Sequence, residues 1–143
     1  MNRTTRRGMT LVEVLAVVVI LGLLASTLAV GFSGSFGKGR REIARTGVAL
    51  VAGKVELFQL EHGAWPSMDD GIARLGPPNA APTAAYFLGE DKQVDPWGRT
   101  YQLVVPGPDG HPFEVLCLGA DGEPGGEGPD ADISSVRLRD ETP

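Results

Sequence analysis

Twenty-four consecutive positions, Val14 to Gly37, carry no charged side chain. The apolar run itself begins earlier, at Met9, and extends to Val30. An α-helix rises 1.5 Å per residue, so about 20 residues cross a bilayer core of roughly 30 Å. Val14–Ala25 is apolar on every face of such a helix, which excludes an ordinary half-exposed surface helix. Residues 9–30 are therefore expected to form a transmembrane helix. One acid, Glu13, lies near its start, and an ionisable group at the edge of a membrane segment is costly enough to mark a function. A cleaved secretory signal fits less well. Its apolar core spans about 7–15 residues without an acid and ends in a small-residue site, which Ala25-Ser26-Thr27 matches poorly.

Charge divides the chain in two. Residues 1–54 hold eight Lys or Arg and two acids, whereas residues 55–143 hold five and sixteen. The acidic distal part argues against nucleic acid as a partner, because neutralising phosphates needs a Lys/Arg patch. Basic residues flank the apolar run on both sides (Arg3, Arg6 and Arg7 before; Lys38, Arg40, Arg41 and Arg45 after), so charge alone leaves its orientation open. Beyond the run, a chain of 143 residues leaves room for one compact domain.

Past the glycine-rich Gly31–Gly39 stretch, which is free to loosen or bend a helix, helical spacing resumes. Ile43, Gly47, Leu50/Val51, Val55 and Phe58 recur every three or four residues, with charged side chains between them. This half reads as an amphipathic helix with one face on a domain, ending near His62-Gly63 before Pro66. A Pro/Ala/Gly-rich segment follows, with a short helix around Asp69–Leu75. Thr100–Val105 and Phe113–Leu118 read as strands joined by the turn Pro106-Gly107-Pro108-Asp109-Gly110, with a third strand near Ile133–Leu138. The expected fold class is α+β: a long N-terminal helix over 9–62, half transmembrane and half amphipathic, packed on a small antiparallel sheet. The globular domain covers 63–143, and residues 1–8 form a leader.

Leu118–Ile133 concentrates the chemistry. Asp121, Glu123, Glu127, Asp130 and Asp132 crowd into twelve residues beside five glycines and two prolines that let the loop curl. Such carboxylates repel unless a cation sits among them, and Ca²⁺ takes six to eight oxygens, carboxylate and carbonyl mixed. The loop is not an EF-hand, since Glu123 and Gly125 break that register. Composition alone leaves a calcium loop and a solvated acidic loop about equal. The one cysteine, Cys117, excludes an internal disulfide and reads as a small buried hydrophobe. No nucleophile elbow, H-E-x-x-H or phosphate loop is present. His62 and His111 read as helix-end and turn residues, and the chain is expected not to be an enzyme.

Arg7-Gly8-Met9-Thr10-Leu11-Val12-Glu13-Val14 resembles the leader of type IV pilins and type II secretion pseudopilins. Asp95-Pro96-Trp97-Gly98-Arg99-Thr100-Tyr101 resembles the D-P-W-G-x-x-Y motif of the major pseudopilins. Leu118-Gly119-Ala120-Asp121-Gly122 with Gly125-Gly126 and Asp130-Ala131-Asp132-Ile133 is similar to their calcium loop, and Glu61-His62-Gly63-Ala64-Trp65-Pro66 to their helix exit. The resemblance implies that a prepilin peptidase cuts between Gly8 and Met9 and methylates Met9. It implies that Glu13 neutralises the terminal amine of a neighbouring subunit, a partner that a buried charge requires. It further implies Ca²⁺ held by Asp121, Asp130, Asp132 and the Leu118 carbonyl. The product would be a homopolymeric pseudopilus in the periplasm, with minor pseudopilins as partners, anchored by single-pass helices in the bacterial inner membrane. It would work with an inner-membrane assembly platform and an outer-membrane secretin to export folded proteins. The alternative within the superfamily is a type IV or competence-type pilin, which more often carries a C-terminal disulfide. Against the family pattern, Met9 replaces Phe, Val30 stands at a common Pro position, Cys117 replaces a Ser, and the tail from Arg137 lacks an aromatic. Asp95-Pro96-Trp97-Gly98 reads as a turn carrying an aromatic plug, with a subunit contact at Trp97 as the other reading.

Overall fold

A computed structural model describes residues 9–140, with the side chains of residues 27–36 also outside the described set. Its elements run α1 (Leu11–His62), β1 (Gln102–Val104), β2 (Glu114–Cys117), β3 (Ile133–Ser134) and α2 (Ser135–Asp140), with short 3-10 turns at Gly71–Leu75, Glu90–Lys92, Pro108–Gly110 and Gly128–Asp130. The chain divides into two compact units, residues 1–36 and 37–143. The amphipathic half of α1 thus belongs to the same unit as the sheet.

In the first unit, Leu11, Val12, Leu15, Val18, Ile20, Leu21 and Leu23 are all exposed, as expected of a helix apolar on every side. Among the described residues no helix is long and apolar enough to cross a membrane. The expected 9–30 span is described with its side chains only as far as Ser26, and the rest of that expectation, like the leader 1–8, lies outside the described residues.

In the second unit α1 buries Ala44, Val48, Val51, Ala52, Val55 and Phe58. These sit at i, i+4, i+7, i+8, i+11 and i+14, one face of a helix. The expected stripe is corrected by about one position over its first turns: Ile43 and Leu50 are 64% and 43% exposed, and Ala44 and Val48 face inward instead. Gly47 explains the offset, because Tyr101 lies against it and the helix turns its fuller side chains to either side of that contact. The helix ends at Gly63, whose positive φ of 72° and amide bond to the Gln59 carbonyl (2.7 Å) close it as a left-handed cap.

The sheet is antiparallel in the order β1-β2-β3, with Leu103 opposite Val115 and Cys117 opposite Ile133. All four are buried, so one face of the sheet closes on α1 with the period-two alternation of a half-buried strand. Phe113, Leu75 and Leu88 complete the core. Each such side chain contributes about 1.5–3 kcal/mol by leaving water. The expected third strand is corrected: pairing covers only Ile133–Ser134, and Ser135–Asp140 is helix. The Ser134 hydroxyl accepts the Val136 amide (3.2 Å) and the Ser135 hydroxyl accepts the Val115 amide (2.9 Å), so the two serines start α2 and tie it to β2. Arg139 then reaches Glu56 on α1 (2.5 Å) and lies over the Phe113 ring.

Candidate functional site

Three places carry the residues singled out in the sequence. At the start of α1, Met9 is 70% exposed, while Gly8 lies outside the described residues. The Glu13 carboxylate accepts the Thr10 amide (2.7 Å) and hydroxyl (2.9 Å), and the Thr10 hydroxyl accepts the Glu13 amide (3.3 Å). This is a reciprocal capping box that satisfies orphan donors of the first turn. The Thr-x-x-Glu spacing announces it in the sequence, and reading Glu13 only for its charge overlooks it.

The second place is the Asp95 turn. Asp95 is buried. Its Oδ1 accepts the amides of Trp97 (2.8 Å) and Arg99 (2.9 Å), and its Oδ2 accepts the Cys117 thiol (3.5 Å) and faces Arg99 Nε at 3.7 Å. One carboxylate thus shapes the turn and joins it to β2. Trp97 is partly buried against the core, which favours the plug over an exposed contact. Burial pushes the Cys117 thiol up to about 11 and the Tyr101 hydroxyl up to about 12. A thiol held that way is no nucleophile at neutral pH.

The third place is the acidic loop. It curls back on itself: the Ala120 amide donates to the Pro129 carbonyl (3.1 Å) and the Asp132 amide to the Gly125 carbonyl (3.1 Å). The Asp130 backbone threads so close to Gly119 that a Cβ there would lie 2.2 Å from the Asp130 oxygen. Only glycine, at a φ of +61°, allows that approach. Asp121 and Asp132 turn their carboxylates to the amides of Glu123 (3.1 Å) and Gly125 (2.9 Å), and the Leu118 carbonyl accepts the Gly122 amide (3.1 Å). Among the described residues no three acidic, histidine or cysteine side chains are gathered as a metal group. Asp121, Asp130 and Asp132 lie in one loop and do not form such a group of three. In donor type the loop still fits a hard cation. Its oxygens are carboxylates and carbonyls, and Asp132 Oδ1 is buried with no hydrogen-bond partner.

Two arginines that sequence reasoning missed grip this loop. Arg99 donates to the Gly119 carbonyl and to the Ala120 carbonyl (3.3 Å), and Arg41 of α1 donates to the Ala131 carbonyl (2.5 Å). Arg99 occupies a variable position of the D-P-W-G-x-x-Y motif, and no local pattern announces a contact twenty residues away.

Comparison with known proteins gives these features a context. Residues 32–136 match the family model of type II secretion system (T2SS) protein G, and residues 3–29 match the prokaryotic N-terminal methylation motif. The type II secretion system core protein G of Vibrio cholerae is 37% identical over 137 residues, 93% of each chain. Its counterpart in Pseudomonas aeruginosa is 34% identical over 140 residues, 94% of this chain and 98% of that one. The crystal structure of the major pseudopilin from the type 2 secretion system of enterohaemorrhagic Escherichia coli shares the fold, with a TM-score of 0.57, 24% identity, and coverage of 74% of this chain and 94% of the other.

Proposed function

Since the chain belongs to the type II secretion system protein G family, we propose that it is the repeating structural subunit of a pseudopilus that drives the export of folded proteins. The observation that carries this reading is the join of an N-terminal methylation motif over residues 3–29 to a protein G domain over residues 32–136. The exposed apolar side chains from Leu11 to Leu24 supply the surface that subunits would bury against lipid or against one another. Head-to-tail contacts between identical subunits need not close into a ring and so generate a filament.

The finer steps follow from the residues. A prepilin peptidase cuts after Gly8 and methylates Met9. The apolar helix holds the subunit in the inner membrane as a single pass, with the acidic domain in the periplasm. Glu13 then pairs with the terminal amine of the next subunit during filament assembly on the inner-membrane platform. Minor pseudopilins and the outer-membrane secretin complete the machine. Calcium would be held by Asp121, Asp130, Asp132 and the Leu118 carbonyl, and its charge would relieve the repulsion within the loop.

The test combines processing with assembly. Co-expression with a prepilin peptidase should remove Met1–Gly8 and add one methyl group, read by intact mass. Supplying the assembly platform as well should yield filaments in the sheared fraction. An uncut chain beside a cut control substrate, or a cut chain that never polymerises with a competent platform, would sink the reading.

A further inference from the structure

Both necks of the acidic loop are held by guanidinium groups. At the entrance, Arg99 reaches two successive carbonyls, Gly119 and Ala120. Its guanidinium lies close to Gly122, where a Cβ would come within 2.8 Å of Nη1. Asp95 aims it: the carboxylate fixes the Arg99 amide at 2.9 Å and faces its Nε at 3.7 Å. At the exit, Arg41 holds the Ala131 carbonyl at 2.5 Å. Backbone carbonyls in a loop rich in acids are oxygens that a positive charge can hold together. Here protein side chains supply the charge, as charge-assisted bonds that are stronger than neutral ones.

We propose that Arg99, aimed by Asp95 and seconded by Arg41, is a resident cation that keeps the loop 118–133 closed with no metal bound. Arg99 is a positioning residue, since it acts on the loop backbone and on no substrate. The inference rests on the calcium reading only for the rescue arm of its test.

Glu127, exposed in the loop and followed by Gly128, offers a cleavage point for a glutamate-specific protease. The full chain in detergent micelles is digested in EDTA or in Ca²⁺, and the rate of cleavage after Glu127 is followed by mass. Wild type should resist in EDTA. Arg99→Ala should be cut about tenfold faster in EDTA, because the open loop gains population when charge-assisted bonds are lost, and Ca²⁺ should slow it again. Should Arg99→Ala fail to fold, Arg99→Gln, which keeps a donor on a shorter, uncharged side chain, should show the same order. Equal rates for wild type and variant in EDTA would overturn the proposal. So would a variant cut faster at every glutamate alike, with or without Ca²⁺, because that is general destabilisation. A variant faster only after Glu127 in EDTA and untouched by Ca²⁺ would keep the arginine clasp and remove the calcium reading.

Discussion

Tyr101 and Gly47 meet so closely that a Cβ at position 47 would lie 2.0 Å from the Tyr101 hydroxyl oxygen and 2.8 Å from its Cζ. The glycine in mid-helix is there for a ring from the far side of the domain. Gly53, two turns on, has nothing within 4 Å of the same position. The two glycines should therefore respond with opposite sign. Gly53→Ala should stabilise by about 0.5–1 kcal/mol, the helix-propensity gain. Gly47→Ala should lose about 1–3 kcal/mol to overpacking despite that gain, and Tyr101→Phe should restore part of it. Urea midpoints of Gly53→Ala, Gly47→Ala and the Gly47→Ala/Tyr101→Phe double variant decide. A Gly47→Ala variant as stable as Gly53→Ala would mean that the ring has room to move.

The contrast shows what the sequence makes legible. The amphipathic spacing locates the helix, its end at His62-Gly63 and one side of its buried face, because those depend on local period and cap chemistry. It misplaces Ile43 and Leu50, because the offset comes from Tyr101, more than fifty residues away. The hairpin is likewise visible in its turn residues and alternating strands, whereas β3 stops after Ser134 because hydroxyl bonds at Ser134 and Ser135 start a helix. The acidic loop is visible as composition. Its closure by Arg99 and Arg41 is a long-range pairing, which no window of sequence contains. Glu13 is a different case, since its Thr-x-x-Glu cap is local and readable.

Cys117 and Tyr101 predict a loss of stability in alkali. Burial is the first cause that raises both, the thiol to about 11 from 9.0 and the phenol to about 12 from 10.0. The native chain then keeps protons that the unfolded chain has already released. Stability from these groups is fully present below about pH 9 and falls as pH rises through the native values. The urea midpoint should hold from pH 7 to 8.5 and drop between pH 9 and 12. Ellman's reagent at pH 8 should label the thiol only after unfolding. Rapid labelling of the native chain would show an accessible thiolate and refute the buried reading.

Calcium should raise the melting temperature by linkage, since a ligand that binds only the folded chain stabilises it by about 2.7 kcal/mol at a hundredfold excess over Kd. Asp132 is the residue to change, as its Oδ1 is buried and lacks a partner. Asp132→Asn should abolish most of the calcium-dependent rise while leaving the melt in EDTA close to wild type. Magnesium, which prefers a tight octahedron with retained waters, should substitute poorly. A wild-type melt indifferent to calcium would remove the ion from the loop.

Glu13 serves its own helix in the single chain, through the two bonds from Thr10, and would serve a neighbour in the filament. These roles separate by mutation. Thr10→Ala removes the side-chain half of the cap, at about 1 kcal/mol in the first turn, yet keeps the carboxylate. Glu13→Ala or Glu13→Val removes both the cap partner and the charge. If the carboxylate acts across the subunit boundary, Thr10→Ala should still yield sheared filaments, and either Glu13 variant should insert and be processed but fail to assemble. If the cap alone matters, Thr10→Ala and Glu13→Ala should impair assembly alike. Glu13→Gln refines the choice, because its amide oxygen still accepts the Thr10 amide but carries no charge for a neighbouring terminal amine. Normal filaments from Glu13→Gln would end the pairing role and leave the helix cap as the reason an acid stands in the apolar run.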